Sequence, residues 1–143
     1  MDTLTVRIPA APSYVRIVRL IAAGLAARLG FTLEDIEDLK IAVDELTAYL
    51  TGSRGHAGTL EVNFLLYEDH IEIKGRAHLA EGAGEAEPGE GSGPRLRTEL
   101  TELSQKILET VVDSASLGAD DGTPTFTLSK HRPARSPSRG GVL

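Results

Sequence analysis

The chain of 143 residues contains no cysteine. Disulfides, thiolate metal sites and a cysteine nucleophile are thereby excluded, and a reducing compartment fits this composition. Positive charge is in deficit: 15 Lys and Arg stand against 21 Asp and Glu, a formal net charge of -6. A broad nucleic-acid-binding surface is not expected from that balance. Long hydrophobic runs are missing too. The longest in the first predicted helix, Leu20 to Ala27, is too short to span a bilayer and follows Arg16 and Arg19. The opening Met1-Asp2-Thr3-Leu4 lacks the positive region of a signal peptide, so a cytoplasmic location without a membrane partner is expected. His56, His70, His78 and His131 show no metal-ligand spacing, and no metal is expected.

What is present is the composition of a packed domain. The hydrophobic fraction is 41%, and a chain of this length can bury a core without staples. Leu4, Val6 and Ile8 alternate with polar residues and predict a strand, which Pro9 and Pro12 end. Ser13 is the expected cap of a helix running to about Leu29, with Gly30 as its stop. Thr32 and Asp35 have capping-box spacing at the head of a second helix, whose buried stripe is Leu39, Val43, Leu46 and Leu50. A hairpin follows. Leu60, Val62, Phe64 and Leu66 form one strand, Ile71, Ile73, Gly75 and Ala77 the other, and Glu68-Asp69-His70 the turn. Residues 78–94 are rich in Gly, Glu and Ala and read as a mobile acidic loop. A third helix is expected with the stripe Leu96, Leu100, Leu103, Ile107 and Val111, and a last strand over Thr123 to Ser129. The residues from 133 onward read as a disordered basic tail. Helices covering one face of such a sheet give a two-layer α/β sandwich.

That order, with three sets of residues, resembles the serine-kinase anti-sigma branch of the GHKL ATPases, the RsbW type. Asp35-Ile36-Glu37-Asp38-Leu39-Lys40-Ile41-Ala42-Val43-Asp44-Glu45-Leu46-Thr47 is similar to the family's second helix, which carries the N box. Gly122-Thr123-Pro124-Thr125-Phe126-Thr127-Leu128 is similar to its closing strand, and the hairpin falls where the family has one. The resemblance covers about residues 3 to 132. It implies a Bergerat fold over 1–132: a mostly antiparallel mixed sheet with three main helices on one face. It implies sigma-factor sequestration, an anti-anti-sigma partner and a homodimer. It also implies ATP and magnesium as cofactors if the chain is a protein serine kinase.

The nucleotide motifs are altered. Glu45 stands at the N-box glutamate and reads either as a general base or as a solvated helix glutamate. Tyr49 stands where the family has its magnesium-binding Asn, and magnesium wants hard oxygen ligands. The family's adenine-reading Asp falls at Ala77 or His78, and its second glycine box near Leu103-Ser104-Gln105. Gly122 and Thr123 read equally as a nucleotide border or as a turn. The expectation is therefore a degenerate site with no cofactor and no confident catalytic residue, the kinase being the alternative. The first helix is apolar beyond its stripe of Val15, Val18, Ala22, Leu25 and Leu29, because Ile17, Leu20, Ile21 and Gly24 fall outside it. With Arg16 and Arg19 one turn apart, Arg16, Arg19 and Leu20 are the expected partner-binding residues; the resemblance places Arg19 on the family's partner-contacting arginine.

Overall fold

The computed structural model describes residues 1–51, 58–79 and 101–133. The described chain runs β1 (Asp2–Pro9), α1 (Pro12–Arg28), α2 (Leu33–Thr51), β2 (Gly58–Leu66), β3 (His70–Leu79), α3 (Glu102–Val111), β4 (Ser114–Asp120) and β5 (Thr123–His131). The strands form one sheet in the order β1-β2-β3-β5-β4, and every pairing in it is antiparallel. Residues opposite each other in an antiparallel pair share a face. The register therefore collects Val6, Ile8, Leu60, Val62, Phe64, Ile71, Ile73, Phe126 and Leu128 on one side, packed with the helices into a single core. The other side carries Thr5, Arg7, Glu61, Asn63, Lys74, Arg76, Thr125 and Thr127. The polar half of each alternating strand thus faces solvent, and the helices cover the apolar half.

Local chemistry explains most element ends. In α1 the cap is Ala11 rather than Ser13; it makes no side-chain hydrogen bond, and Pro12 opens the helix. Proline suits that place because its φ is preset and its missing N–H has no helical acceptor. Gly30, at φ +89, ends α1, with its N–H donating to the Ala27 carbonyl and that of Phe31 to the Ala26 carbonyl. That pair of bonds is the Schellman arrangement, and only glycine takes the left-handed turn without strain. At the head of α2, the Thr32 hydroxyl accepts from the Asp35 N–H at 3.1 Å and donates to the Asp35 carboxylate at 2.9 Å. The stripe Leu39, Val43, Leu46 and Leu50 is fully buried beneath it.

Three further expectations need correction. Leu103 is 69% exposed, and the buried line of α3 is Ser104, Leu108 and Val111, with Ile107 at its edge. Burial follows the packing of α3 against α2 and β4, which turns Ser104 and Leu108 inward and leaves Leu103 in solvent. Leu96 and Leu100 lie outside the described residues. A strand unforeseen in the sequence, β4, precedes β5, and the two are joined by Asp121 and Gly122 at φ 56 and 81. Finally, β3 runs through His78 to Leu79, so the start of the anticipated loop is strand. The remainder of that loop (80–94) and the tail from residue 134 lie outside the described residues. Among the described residues no helix is long and apolar enough to cross a membrane.

Candidate functional site

The first helix presents two unlike sides. Val18, Ala22 and Ala26 are buried, and Val15, Ile21, Leu25 and Leu29 pack against the core beside them. Ile21, which fell outside the anticipated stripe, thus belongs to the inner side. Tyr14, Ile17 and Leu20 remain on the solvent side, with Leu20 at 64% exposure, and Arg16 is exposed among them. Arg19 sits at the edge of this strip. Its guanidinium donates to the Asp44 carboxylate at 2.9 Å, tying α1 to α2 across 25 residues of sequence. Both side chains are more than a third exposed, so water screens the pair and its stabilising effect is small. Arg19 is therefore already engaged within the chain, whereas Arg16 and Leu20 point outward.

A second feature lies between α2 and α3. Ile41, Lys106, Ile107, Thr110 and Val111 line an open groove of about 410 Å³. Glu45 is one turn on from Ile41 along α2 and is half-buried, placing it on the edge that carries the groove. Tyr49, a further turn on, is 5% exposed and part of the core. Ala77 is buried on the inner face opposite Leu60, while His78 lies on the outer face, 3.9 Å from Glu61. Ser104 is buried, and its N–H donates to the Thr101 hydroxyl at 3.0 Å as the cap of α3. Gly122 sits with Asp121 in a two-residue hairpin loop, and Thr123 pairs with Asp120. Two successive positive φ values are what the twist of a tight hairpin demands, so turn geometry accounts for this glycine.

Chain spacing gave no sign of a third feature. The sheet sets His70 on β3 directly opposite His131 on β5, and their rings stack at 4.8 Å between centroids. Tyr67 stacks on the other face of His70 at 4.3 Å. His70 Nδ1 lies 2.7 Å from the Asp69 carboxylate and its Nε2 lies 3.4 Å from Glu72. The hydrogen bond to Asp69 raises the His70 pKa above its ordinary 6.5; burial opposes this, and Glu72 adds to it. The same bond lowers the Asp69 pKa below its ordinary 3.8. His131 Nδ1 lies 3.4 Å from Asp113, which also accepts the His131 N–H. Residues 61 positions apart can be found together only through strand register, which no spacing rule along the chain reports.

No protein-family model matches the chain. It is 35% identical over 132 residues to the serine-protein kinase RsbW of Listeria monocytogenes serotype 4a, covering 85% of this chain and 82% of that protein. It is 45% identical over 78 residues to the serine-protein kinase RsbW of Bacillus pumilus, covering 51% of this chain and 48% of that one. In that alignment the chain thus spans about half the length of its relative. A crystal structure of the RsbU and RsbW domains of a Mycobacterium tuberculosis protein matches with a TM-score of 0.62 at 20% identity, covering 94% of this chain and 34% of that chain. At that identity the likeness concerns the fold.

Proposed function

The chain belongs to the RsbW family of serine-protein kinases, and from that membership we propose that it acts as an anti-sigma regulator whose partner docks on α1. The observation that carries the reading is the solvent-facing strip of Tyr14, Arg16, Ile17 and Leu20 on a helix whose other side is already buried. Exposed apolar side chains grouped with an arginine are the usual material of a protein-binding patch. Arg19, held by Asp44 at the rim, contributes by orientation. Sigma factor is the partner, an anti-anti-sigma factor competes for the chain, and the chain pairs as a homodimer.

The proposal includes weak or absent ATP binding. Magnesium needs hard oxygen ligands in tight geometry. The residue four beyond Glu45 is a tyrosine set in the core, and the groove beside Glu45 is lined largely by aliphatic groups. Ala77 offers no carboxylate to an adenine amino group. These residues do not fit magnesium and ATP, and no catalytic step is derived through them. The second reading, a serine kinase with Glu45 as general base, is favoured by the names of the relatives and by the place of Glu45 one helical turn from the groove residue Ile41.

Leu20 gives the cleanest test, because its side chain contributes little to the fold. Leu20→Asp should keep the wild-type melting temperature, since a substitution at an exposed site usually changes stability by no more than about 0.5 kcal/mol. It should lose the purified sigma factor of the same genome by tenfold or more in a direct binding measurement. Arg16→Ala should lose less, and Arg28→Ala, at the exposed end of the same helix, should bind as wild type. Equal binding by Leu20→Asp and wild type would remove α1 as the docking face.

A further inference from the structure

We propose that His70, His131 and Asp69 form a binding site for a divalent transition-metal ion of the zinc type, at the end of the sheet where β3 meets β5. One ligand atom from each of the three lies within 4.8 Å of the others. In a tetrahedral zinc site with bonds of about 2.0–2.1 Å the ligand atoms stand about 3.4 Å apart, so closing the set takes side-chain rotations that turn the two imidazoles out of their stacked arrangement. The backbone has done most of the positioning. His70 and His131 are register partners, and directly opposed residues of an antiparallel pair hold their Cβ atoms about 4.5–5.5 Å apart. Asp69 precedes His70 in the turn, and its carbonyl accepts from the Arg132 N–H at 2.8 Å, which fixes the turn against the end of β5.

The surrounding carboxylates select the nitrogens. Nε2 of His70 faces Glu72 at 3.4 Å, and Nδ1 of His131 faces Asp113 at 3.4 Å. A carboxylate that takes the N–H of one ring nitrogen leaves the lone pair on the other, which is how metal-ligating imidazoles are commonly oriented. The nitrogens left for an ion are then Nδ1 of His70 and Nε2 of His131. Nδ1 of His70 already lies 2.7 Å from Asp69, and the two part to about 3.4 Å as the ion replaces the proton they share. Three protein ligands leave a fourth position for water. Two imidazoles with a carboxylate suit zinc, nickel or copper better than magnesium or calcium, which prefer oxygen ligands alone. The ion would clamp the β2–β3 turn to the end of β5. The site is independent of the α1 surface.

The test is a calorimetric titration of zinc into the full chain after chelator treatment and dialysis. Saturable binding of one ion per chain is expected, with a melting temperature that rises with free zinc. His131→Ala, at an exposed position, should keep the circular-dichroism spectrum and weaken zinc at least tenfold, and His70→Ala should do the same. Glu72→Gln touches no ligand atom and should weaken zinc about 10- to 100-fold, as loss of an orienting carboxylate does. His78→Ala, on the outer face beside Glu61, should bind as wild type. Absence of saturable binding, or unchanged affinity in His131→Ala, would overturn the assignment.

Discussion

At the scale of single residues, the imidazole of His70 links the fold to pH. Its pKa is raised chiefly by the hydrogen bond to Asp69. A raised folded-state pKa stabilises fully below the unfolded value, here the ordinary 6.5, and that stabilisation is lost as pH climbs through the folded value. Asp69 behaves in the opposite sense. Its lowered pKa stabilises above the ordinary 3.8 and the effect is lost as pH falls through the folded value. The interaction is therefore fullest between those two limits. In a chelator-containing buffer, the melting-temperature difference between wild type and Asp69→Asn should be largest near pH 5 to 6 and should shrink above neutrality. A difference that grows with alkaline pH would show that the bond to a protonated His70 is not its source. Other residues show where single-position reasoning stops. Arg19 is recognisable as an arginine on an amphipathic helix, but Asp44 as its partner emerges only once two helices are packed. Leu103 has the right spacing for burial and the wrong direction, because only α3's seat against α2 and β4 fixes which line of side chains turns inward.

Elements were more legible than residues wherever caps and periodicity agreed. Thr32 and Asp35 announce the head of α2, Gly30 the end of α1, and strict alternation the β2–β3 hairpin. The strand β4 escaped because Ser114–Asp120 gives the core only Ala115 and Leu117, too little for an alternation signal. The dipeptide Asp121-Gly122 was the available sign, since Asp-Gly is a favoured two-residue hairpin loop. The α1–α2 contact carries its own prediction. In a double-mutant cycle, Arg19→Ala and Asp44→Ala should show a coupling of about 0.2–1 kcal/mol in urea denaturation, the range of exposed ion pairs. If partner binding falls in Arg19→Ala and equally in Asp44→Ala, Arg19 acts by joining the helices. If it falls only in Arg19→Ala, the guanidinium touches the partner itself.

For the whole molecule, the layered fold was readable because one apolar sheet face has to be covered, and α1, α2 and α3 are the elements available to cover it. A nucleotide that bound this folded chain would add RT ln(1 + [L]/Kd), about 2.7 kcal/mol at a hundredfold excess over Kd. Melts with millimolar ATP and magnesium should show almost no shift. A rise of several degrees that vanishes in Glu45→Ala would establish the kinase reading in place of the one proposed.

The sheet order also dictates a sequence of events in time. The strands β2 and β3 meet across a turn of three residues, Tyr67 to Asp69, and β4 and β5 across Asp121 and Gly122. Hairpins of this kind close within about 1–10 μs. The edge strand β1 is different from these hairpins: it is first in the chain, yet among the described residues its sheet neighbour is β2, and the Arg7–Glu61 bond between them spans 54 residues. Bringing such distant segments together costs closure entropy before any contact rewards it. The meeting of β3 with β5 is as distant, since His70 and His131 are 61 residues apart, so in the refolding reaction both the docking of β1 and the joining of the two hairpins follow hairpin closure. The two arms of a chevron plot would separate the contribution of β1 from that of the hairpins: loss of the Ile8 side chain speeds unfolding and leaves the folding arm nearly in place.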